Sequence, residues 1–169
     1  MVATARFIQR PRLPGEAKTT LLRSLARHHF LTAEQLCRLH YAPTSLTRVQ
    51  TLLKELADGR YVHCRKAEPK SRGGSTPAVY SIARPGRSFL RSLGDAITLR
   101  FHNKEADCLS AAYIEHVLAI SDVTVQAELL SRQVPQLTLG RLLHERHLRQ
   151  HPCRAVLTDG RTIGVVADA

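Results

Sequence analysis

The chain has 169 residues, enough for one domain of ordinary size or for a small domain joined to part of another. Hydrophobic residues make up 43% of the chain but aromatic residues only 5%, which predicts a packed core built mainly from Leu, Val, Ile and Ala. No apolar run approaches the roughly 20 residues of a membrane helix, and the N-terminus lacks the apolar stretch of a secretory signal, so we expect a cytoplasmic protein without a membrane partner.

The net charge of +11 is unevenly distributed along the chain. Residues 1–104 contain 19 Lys and Arg against 6 Asp and Glu, whereas residues 105–169 contain 6 against 8. A basic surface attracts a polyanion and releases its counterions, which is the sequence-independent part of nucleic-acid binding. The first part of the chain is therefore the candidate for binding nucleic acid.

The basic part begins with a predicted flexible arm, residues 1–15, in which Arg6, Arg10 and Arg12 could contact DNA. Apolar residues at helical spacing then predict a helix from Glu16 to Phe30. Thr32 is followed three residues later by Gln35, which is the capping-box pattern of a helix start. We expect this second helix to end near His40, because Pro43 disfavours helix at the residue before it.

A third helix is predicted from about Pro43 or Thr44 to Gly59, with Leu46, Val49, Leu52, Leu53 and Leu56 facing inward. Short polar and basic side chains remain on its outer side, and such residues suit base edges and phosphates in a major groove. An ordinary solvated helix surface is the alternative interpretation. The candidate DNA-contacting residues of this helix are Thr44, Ser45, Thr47, Arg48, Gln50, Thr51 and Lys54.

A β-hairpin is predicted next, with strands Tyr61–Cys64 and Pro77–Ile82. The segment between them is rich in Gly, Pro, Ser and Lys, and there Lys66, Lys70 and Arg72 are candidates for holding phosphates. A solvated loop without a ligand is the alternative. Pro85 then opens a short helix that Gly94 ends. This order of elements over residues 16–100 is that of a winged helix-turn-helix.

Residues 101–169 have a different character. The Ala-rich stretch from Glu105 to Leu130 predicts one long helix, and residues 141–149 suggest a short helix or strand. Two β-runs, Ala155–Thr158 and Thr162–Val166, flank the turn signal Asp159-Gly160. We therefore predict an α+β fold, in which the winged-helix domain precedes a long helix and an incomplete α/β segment.

The sequence offers little support for catalysis or for a metal. Four widely spaced cysteines form no C-x-x-C pair, and Pro152 argues against one regular helix carrying His144, His147 and His151. Residues 105–169 contain no Lys, and the chain lacks both a phosphate-binding loop motif and a nucleophile elbow. We therefore assign no catalytic residue, no metal and no cofactor.

Three stretches, LTAEQLCRLHY, SLTRVQTLLKELADGRYVHC and PAVYSIARPGRSFL, resemble the N-terminal part of the replication-relaxation family of bacterial plasmids and mobile elements. The resemblance implies a winged helix. The residues that match the family pattern are Leu31, Thr32, Gln35, Leu36, Leu39, Leu52, Leu56, Gly59, Tyr80 and Gly86.

The resemblance extends into residues 101–169 through HVLAISDVTV, LHERHLR around Glu145 and VVADA around Asp168. It implies a nuclease-type α/β fold for this part of the chain. The family usually carries a further acidic residue on the next strand, and this chain stops before that strand, so we expect a truncated or degenerate segment. Nuclease activity is therefore not carried over to Glu145 and Asp168.

We predict double-stranded DNA binding, either sequence-specific or structure-directed, in plasmid or mobile-element replication or in transcriptional regulation. One alternative is a nuclease, or its inactive fragment, that cleaves DNA with a divalent metal. Another is a winged-helix interaction module that forms a homodimer through the 105–130 helix, whose small residues include Ala111, Ala112 and Ala119.

Overall fold

The computed structural model describes residues 13–66, 77–97, 111–139, 153–156 and 162–165. Helices and short antiparallel strands both occur in these ranges, which confirms an α+β architecture. The elements in chain order are α1 (Glu16–His28), β1 (Leu31–Thr32), α2 (Ala33–His40), a 3-10 turn (Pro43–Ser45), α3 (Leu46–Asp58), β2 (Val62–Lys66), β3 (Ala78–Ile82), α4 (Arg84–Ser92), α5 (Ala111–Gln133), β4 (Cys153–Val156) and β5 (Thr162–Val165).

The first sheet has three antiparallel strands in the order β1-β3-β2. The predicted hairpin is present, because β2 pairs with β3 from Val62 opposite Ile82 to Lys66 opposite Ala78. Strand β2 continues two residues past its predicted end at Cys64, so Lys66 lies in the strand and not in the loop. Strand β1 adds Leu31 opposite Tyr80 on the other edge of β3. This two-residue strand was not predicted, since it is too short to show an alternating pattern.

The start of α2 has the predicted capping box. The Thr32 hydroxyl accepts from the backbone N–H of Gln35 at 3.2 Å, and the Gln35 side-chain oxygen accepts from the Thr32 N–H at 2.9 Å. Two backbone donors that no preceding helical turn could satisfy are thereby paired. Gln35 also donates to the Leu118 carbonyl at 3.2 Å, so the cap of α2 is tied to α5.

The main core lies where the three N-terminal helices meet the sheet. Each helix contributes leucines at helical spacing, and β2, β3 and α4 close the cluster. Its fully buried side chains include Leu21, Leu22, Leu25, Leu36, Leu53, Leu56 and Leu90. The long helix α5 also reaches this core, because Val125 is fully buried in the same cluster.

A second apolar cluster joins α5 to strand β3 and to Phe30, the residue just before β1. Ile114 and Val117 of α5 pack with Phe30 and Val79. Nearby, the buried Ser121 hydroxyl donates to the Phe30 carbonyl at 2.9 Å. The predicted 105–130 helix therefore exists over Ala111–Gln133 in the described residues, and its inward side is occupied by contacts within the chain.

Gly86 explains how α4 can lie so close to the sheet. A Cβ at this position would collide with the carbonyl oxygen of Tyr61 and would come within 2.9 Å of the Ile82 side chain. The helix therefore needs a residue without a side chain there. Helix α4 is thus held next to Tyr61, the residue that leads from α3 into β2.

Strands β4 and β5 form a separate antiparallel pair, from Cys153 opposite Val165 to Val156 opposite Thr162. The predicted hairpin is therefore present, but its first strand begins two residues earlier than expected. Asp159 and Gly160 lie outside the described residues, so the Asp-Gly turn stays a prediction.

Candidate nucleic-acid interface

Helix α3 has one buried side and one exposed side. Val49, Leu53 and Leu56 are buried in the core at successive helical turns. The seven predicted DNA-contacting residues share the opposite side, and we call them the α3 face. Thr44, Thr47, Arg48, Gln50, Thr51 and Lys54 are exposed, and Ser45 is half-buried.

The first two residues of the α3 face lie on the 3-10 turn and not on the α-helix itself. Pro43 opens this turn, and the Ser45 N–H donates to the Ala42 carbonyl at 2.9 Å. Neither Ala42 nor Ser45 provides a side-chain cap for the helix that follows. Backbone N–H groups at an uncapped helix start suit an oxygen of an anion.

The electrostatic character of α3 changes along its length. Its first turn carries no acidic residue, so the positive end of the helix dipole and Arg48 act in the same direction. Glu55 and Asp58 are exposed near the other end. Lys18 of α1 pairs with Glu55 at 2.6 Å, and Asp58 remains on the surface. An anionic ligand is therefore favoured at the N-terminal half of α3.

The hydroxyl groups on the α3 face can serve as acceptors or donors. The Thr51 hydroxyl donates to the Thr47 carbonyl at 3.0 Å, which leaves its oxygen lone pairs available. Gln50 and Arg48 flank the two threonines on the same exposed side of the helix. This combination can contact base edges as well as phosphates.

Of the three predicted phosphate-contacting residues of the hairpin, only Lys66 lies in the described part of the chain. Lys66 ends β2, opposite Ala78 at the last described pair of the hairpin. Lys70 and Arg72 lie outside the described residues, as do the arm with Arg6, Arg10 and Arg12 and the candidates Glu145 and Asp168. Their assignment stays a prediction.

A cluster of titratable side chains joins α1, α2 and α5. His28 lies 3.1 Å from Glu128 through Nε2 and 3.1 Å from the Thr124 hydroxyl through Nδ1. Arg132 donates to the same Glu128 carboxylate at 2.5 Å and to the Leu39 carbonyl at 2.5 Å. His40 completes the cluster through a 2.6 Å hydrogen bond with Ser24.

The charge states in this cluster follow from burial and pairing. Burial lowers the pKa of His28 below 6.5, against the opposing effect of Glu128. Burial alone would raise the pKa of Glu128, but hydrogen bonds from His28 and Arg132 and the charge of Arg27 outweigh it and lower that pKa. A neutral histidine thus donates to an ionised carboxylate, and the cluster links α1, α2 and α5.

The sequence analysis missed a second basic surface, on α4. Arg84, Arg87 and Arg91 have the spacing i, i+3 and i+7, which places three side chains on one side of a helix. That spacing is visible in the sequence.

The described residues contain neither a candidate metal site nor a helix suited to cross a membrane. No group of His, Cys, Asp and Glu side chains in those ranges could hold a metal ion. The helices in the same ranges include none with both the length and the apolar composition needed to cross a membrane. His144, His147 and His151 lie outside the described residues.

Comparison with curated proteins and with solved structures gives no match. Comparison with protein families gives one, replication-relaxation, over residues 22–163. The matched range begins inside α1 and ends inside β5, so it includes the α3 face, the hairpin, α4 and α5. Because this match covers most of the 169 residues, the chain belongs to the replication-relaxation family.

Proposed function

We propose that the chain binds double-stranded DNA through the α3 face and the β2–β3 hairpin, as a winged helix does. The observation that carries the proposal is the N-terminal half of α3. It exposes Thr47, Arg48, Gln50 and Thr51 on a rigid helix whose other side is fully buried, with no acidic residue in its first turn.

The order of the elements supports the same proposal. Helices α1, α2 and α3 are followed by the hairpin, and β1 between the first two helices completes a three-stranded sheet. In winged helices the third helix enters the major groove, and the hairpin loop contacts the neighbouring backbone. Lys66 at the end of β2, together with Lys70 and Arg72 between the two strands, would supply the phosphate contacts of the hairpin.

Family membership supports a role in the replication or relaxation of mobile elements. Within that role, the basic balance of residues 1–104 supplies non-specific attraction to DNA. The α3 face would add selectivity for a particular DNA sequence or structure. Transcriptional regulation would use the same interface, and the identity of the bound site would distinguish it from replication.

Arg48→Ala tests the α3 face. If Arg48 contacts a base edge, affinity for the preferred duplex falls about tenfold or more while affinity for random DNA changes little. If it contacts a phosphate, binding weakens for all sequences, and the slope of log affinity against log salt falls by about one. Fluorescence anisotropy with labelled duplexes at several salt concentrations measures both quantities.

Arg27→Ala is the matched control, because it removes the same charge from an exposed residue of α1 that pairs with Glu128. We expect its affinity and salt slope to stay close to those of the unmodified chain. Equal affinities for the Arg48→Ala variant, the control and the unmodified chain across the salt series would contradict the proposal.

The proposed function is binding without catalysis. The nuclease alternative predicts that the chain cleaves plasmid DNA when magnesium or manganese is added, and that Asp168→Ala abolishes the cleavage. We expect intact plasmid in both incubations. Metal-dependent nicking that Asp168→Ala removes would establish the nuclease instead.

A further inference from the structure

Helix α4 carries a second basic surface, which we call the arginine face: Arg84, Arg87 and Arg91. Arg84 and Arg91 are exposed and Arg87 is half-buried, whereas Gly86 and Leu90 on the opposite side are buried. The three guanidinium groups therefore line one side of a helix whose other side is held by the core.

The arginine face concentrates positive charge at a cost to the folded chain. Burial, and then the charges of Arg91 and Arg84, hold the pKa of Arg87 below its usual value, so the three groups repel one another. Arg84 also occupies the first turn of α4, where the helix dipole is already positive. Like charges at this spacing destabilise a helix.

The acidic residue that follows α4 does not offset this charge. Asp95 accepts from Nε of Arg23 with both carboxylate oxygens, at 3.2 and 3.0 Å. Its charge is therefore already balanced by a residue of α1. A polyanion bound to the arginine face would relieve the repulsion and release its own counterions.

The shape of the face favours an extended chain of phosphates over a single compact anion. At about 1.5 Å per residue, the row from Arg84 to Arg91 is about 10 Å long. A single small anion cannot reach both ends of such a row, whereas consecutive phosphates along one DNA strand can. Guanidinium groups also suit phosphate oxygens, because their donors match them in pairs.

The arginine face is separated from the α3 face. Helix α4 lies beside Tyr61, just beyond the C-terminal end of α3, and α3 has 13 residues, or about 20 Å. Glu55 and Asp58 are exposed on α3 between its N-terminal half and that end. Glu55 is paired with Lys18, and the charge of Asp58 disfavours the backbone of a duplex running from the α3 face toward α4.

We propose that the arginine face of α4 binds the phosphate backbone of a second DNA duplex, so that one chain can hold two segments of DNA. The inference rests on the proposed function, since the first duplex is the one bound by the α3 face. A protein with both surfaces could bring two sites of one plasmid together.

The first experiment measures how much the arginine face contributes to the salt dependence of DNA binding. The variant Arg84→Gln/Arg91→Gln keeps two long polar side chains and removes both exposed charges. We expect the slope of log affinity against log salt, measured with a labelled duplex in excess over protein, to fall by about two. Its thermal midpoint should equal or exceed that of the unmodified chain, because like-charge repulsion is reduced.

Arg27→Gln/Arg38→Gln is the matched control. It lowers the net charge by the same amount, and both residues instead face α5, where they pair with Glu128 and Asp122. We expect it to change the salt slope by less than half as much. An unchanged slope in the α4 variant, or an equal change in the control, would overturn the proposal. An acidic protein would then be the better candidate ligand of the arginine face.

The second experiment tests whether the protein binds two duplexes at the same time. Beads carrying one duplex are incubated with protein, washed, and then offered a labelled second duplex of the same sequence. The unmodified chain should retain the label, and Arg84→Gln/Arg91→Gln should lose it while still binding the beads. Retention of the label by this variant would show that the second duplex is not held by α4.

The two proposals fail in different ways. If Arg48→Ala leaves binding unchanged but Arg84→Gln/Arg91→Gln lowers the salt slope, the α3 face is wrong and the arginine face stands as the DNA-binding surface. If Arg48→Ala weakens binding and the α4 variant behaves like its control, the α3 face stands alone.

Discussion

Arg60 holds an unusual backbone conformation at the end of α3. Its φ is 59°, in the left-handed region that favours glycine. The N–H of Tyr61 donates to the Leu56 carbonyl at 2.8 Å and that of Arg60 to the Ala57 carbonyl at 2.9 Å. This is a Schellman ending in which an arginine takes the position usually given to glycine.

Arg60→Gly should therefore stabilise the protein. Removing the Cβ relieves the left-handed strain, and after the added entropy of the unfolded chain the gain should be about 0.5 to 1 kcal/mol. Urea unfolding followed by circular dichroism measures it. Arg60→Ala is the control, because it removes the side chain but keeps the Cβ, and we expect its free energy of unfolding to stay unchanged.

The neighbouring Gly59 shows why sequence could locate this helix end without explaining it. Its φ is −76°, so it does not provide the left-handed turn that its place after the last apolar residue suggested. A Cβ there would lie 2.9 Å from the ring of Tyr61. The glycine is needed for the packing of a ring that belongs to the next element, which no local pattern reveals.

The lowered pKa of His28 predicts how the free energy of unfolding depends on pH. Burial lowers its pKa in the folded chain below the unfolded value of 6.5, so the unfolded chain binds more protons as the pH falls through 6.5. The free energy of unfolding should therefore decrease on acidification from about pH 7.5 to 5. His40, whose pKa burial also lowers, contributes in the same direction.

The test is urea unfolding of the full chain and of His28→Gln over this pH range. Glutamine can still donate to Glu128 but does not titrate, so the profile of the variant should be flatter, with His40 leaving a smaller slope. A profile for the variant as steep as that of the unmodified chain would assign the pH dependence to other groups.

At the scale of elements, most helices could be predicted because their apolar residues repeat at helical spacing, and some also carry a start signal. Thr32 and Gln35 are an example, since both hydrogen bonds of the predicted capping box are present. Their third interaction, from Gln35 to Leu118, joins positions far apart in sequence. Such long-range contacts decide how α5 packs, and periodicity within α5 cannot identify its partner.

Helix α5 offers a matched pair of valines that tests this packing. Val125 is fully buried in the main core, whereas Val123 is 70% exposed. Val125→Ala should lower the free energy of unfolding by about 2 kcal/mol, because it deletes buried methyl groups and leaves a cavity. Val123→Ala should change it by less than about 0.5 kcal/mol. Equal effects of the two substitutions would contradict the packing of α5.

At the scale of the whole molecule, α5 is part of the same packed unit as the three N-terminal helices. Val125 shares their core, and Glu128 holds His28 of α1. The predicted boundary near residue 100 remains a prediction. Deleting residues 105–169 would remove these buried contacts, so a change in oligomeric state after truncation would also reflect lost stability.

The homodimer proposal can instead be tested on the outward side of α5. Ala112, Ala119, Val123 and Leu130 recur there at helical spacing, with Val123 70% and Leu130 48% exposed. Isolated exposed apolar residues are common, but an aligned row on a long helix is typical of a partner surface. We expect the full chain to form a dimer in which two such rows pack together.

Val123→Ser/Leu130→Ser should convert this dimer to a monomer without affecting the core, because both side chains point away from it. Sedimentation velocity at several protein concentrations measures the change. Gln126→Ser is the control, since Gln126 is exposed on the same side of α5 but already polar, and it should leave the dimer intact. A full chain that sediments as a monomer at every concentration, or a double variant that stays dimeric, would rule out α5 as the interface. A dimer could also join two duplexes through two copies of the α3 face, so the bead experiment is carried out with Val123→Ser/Leu130→Ser present in both proteins.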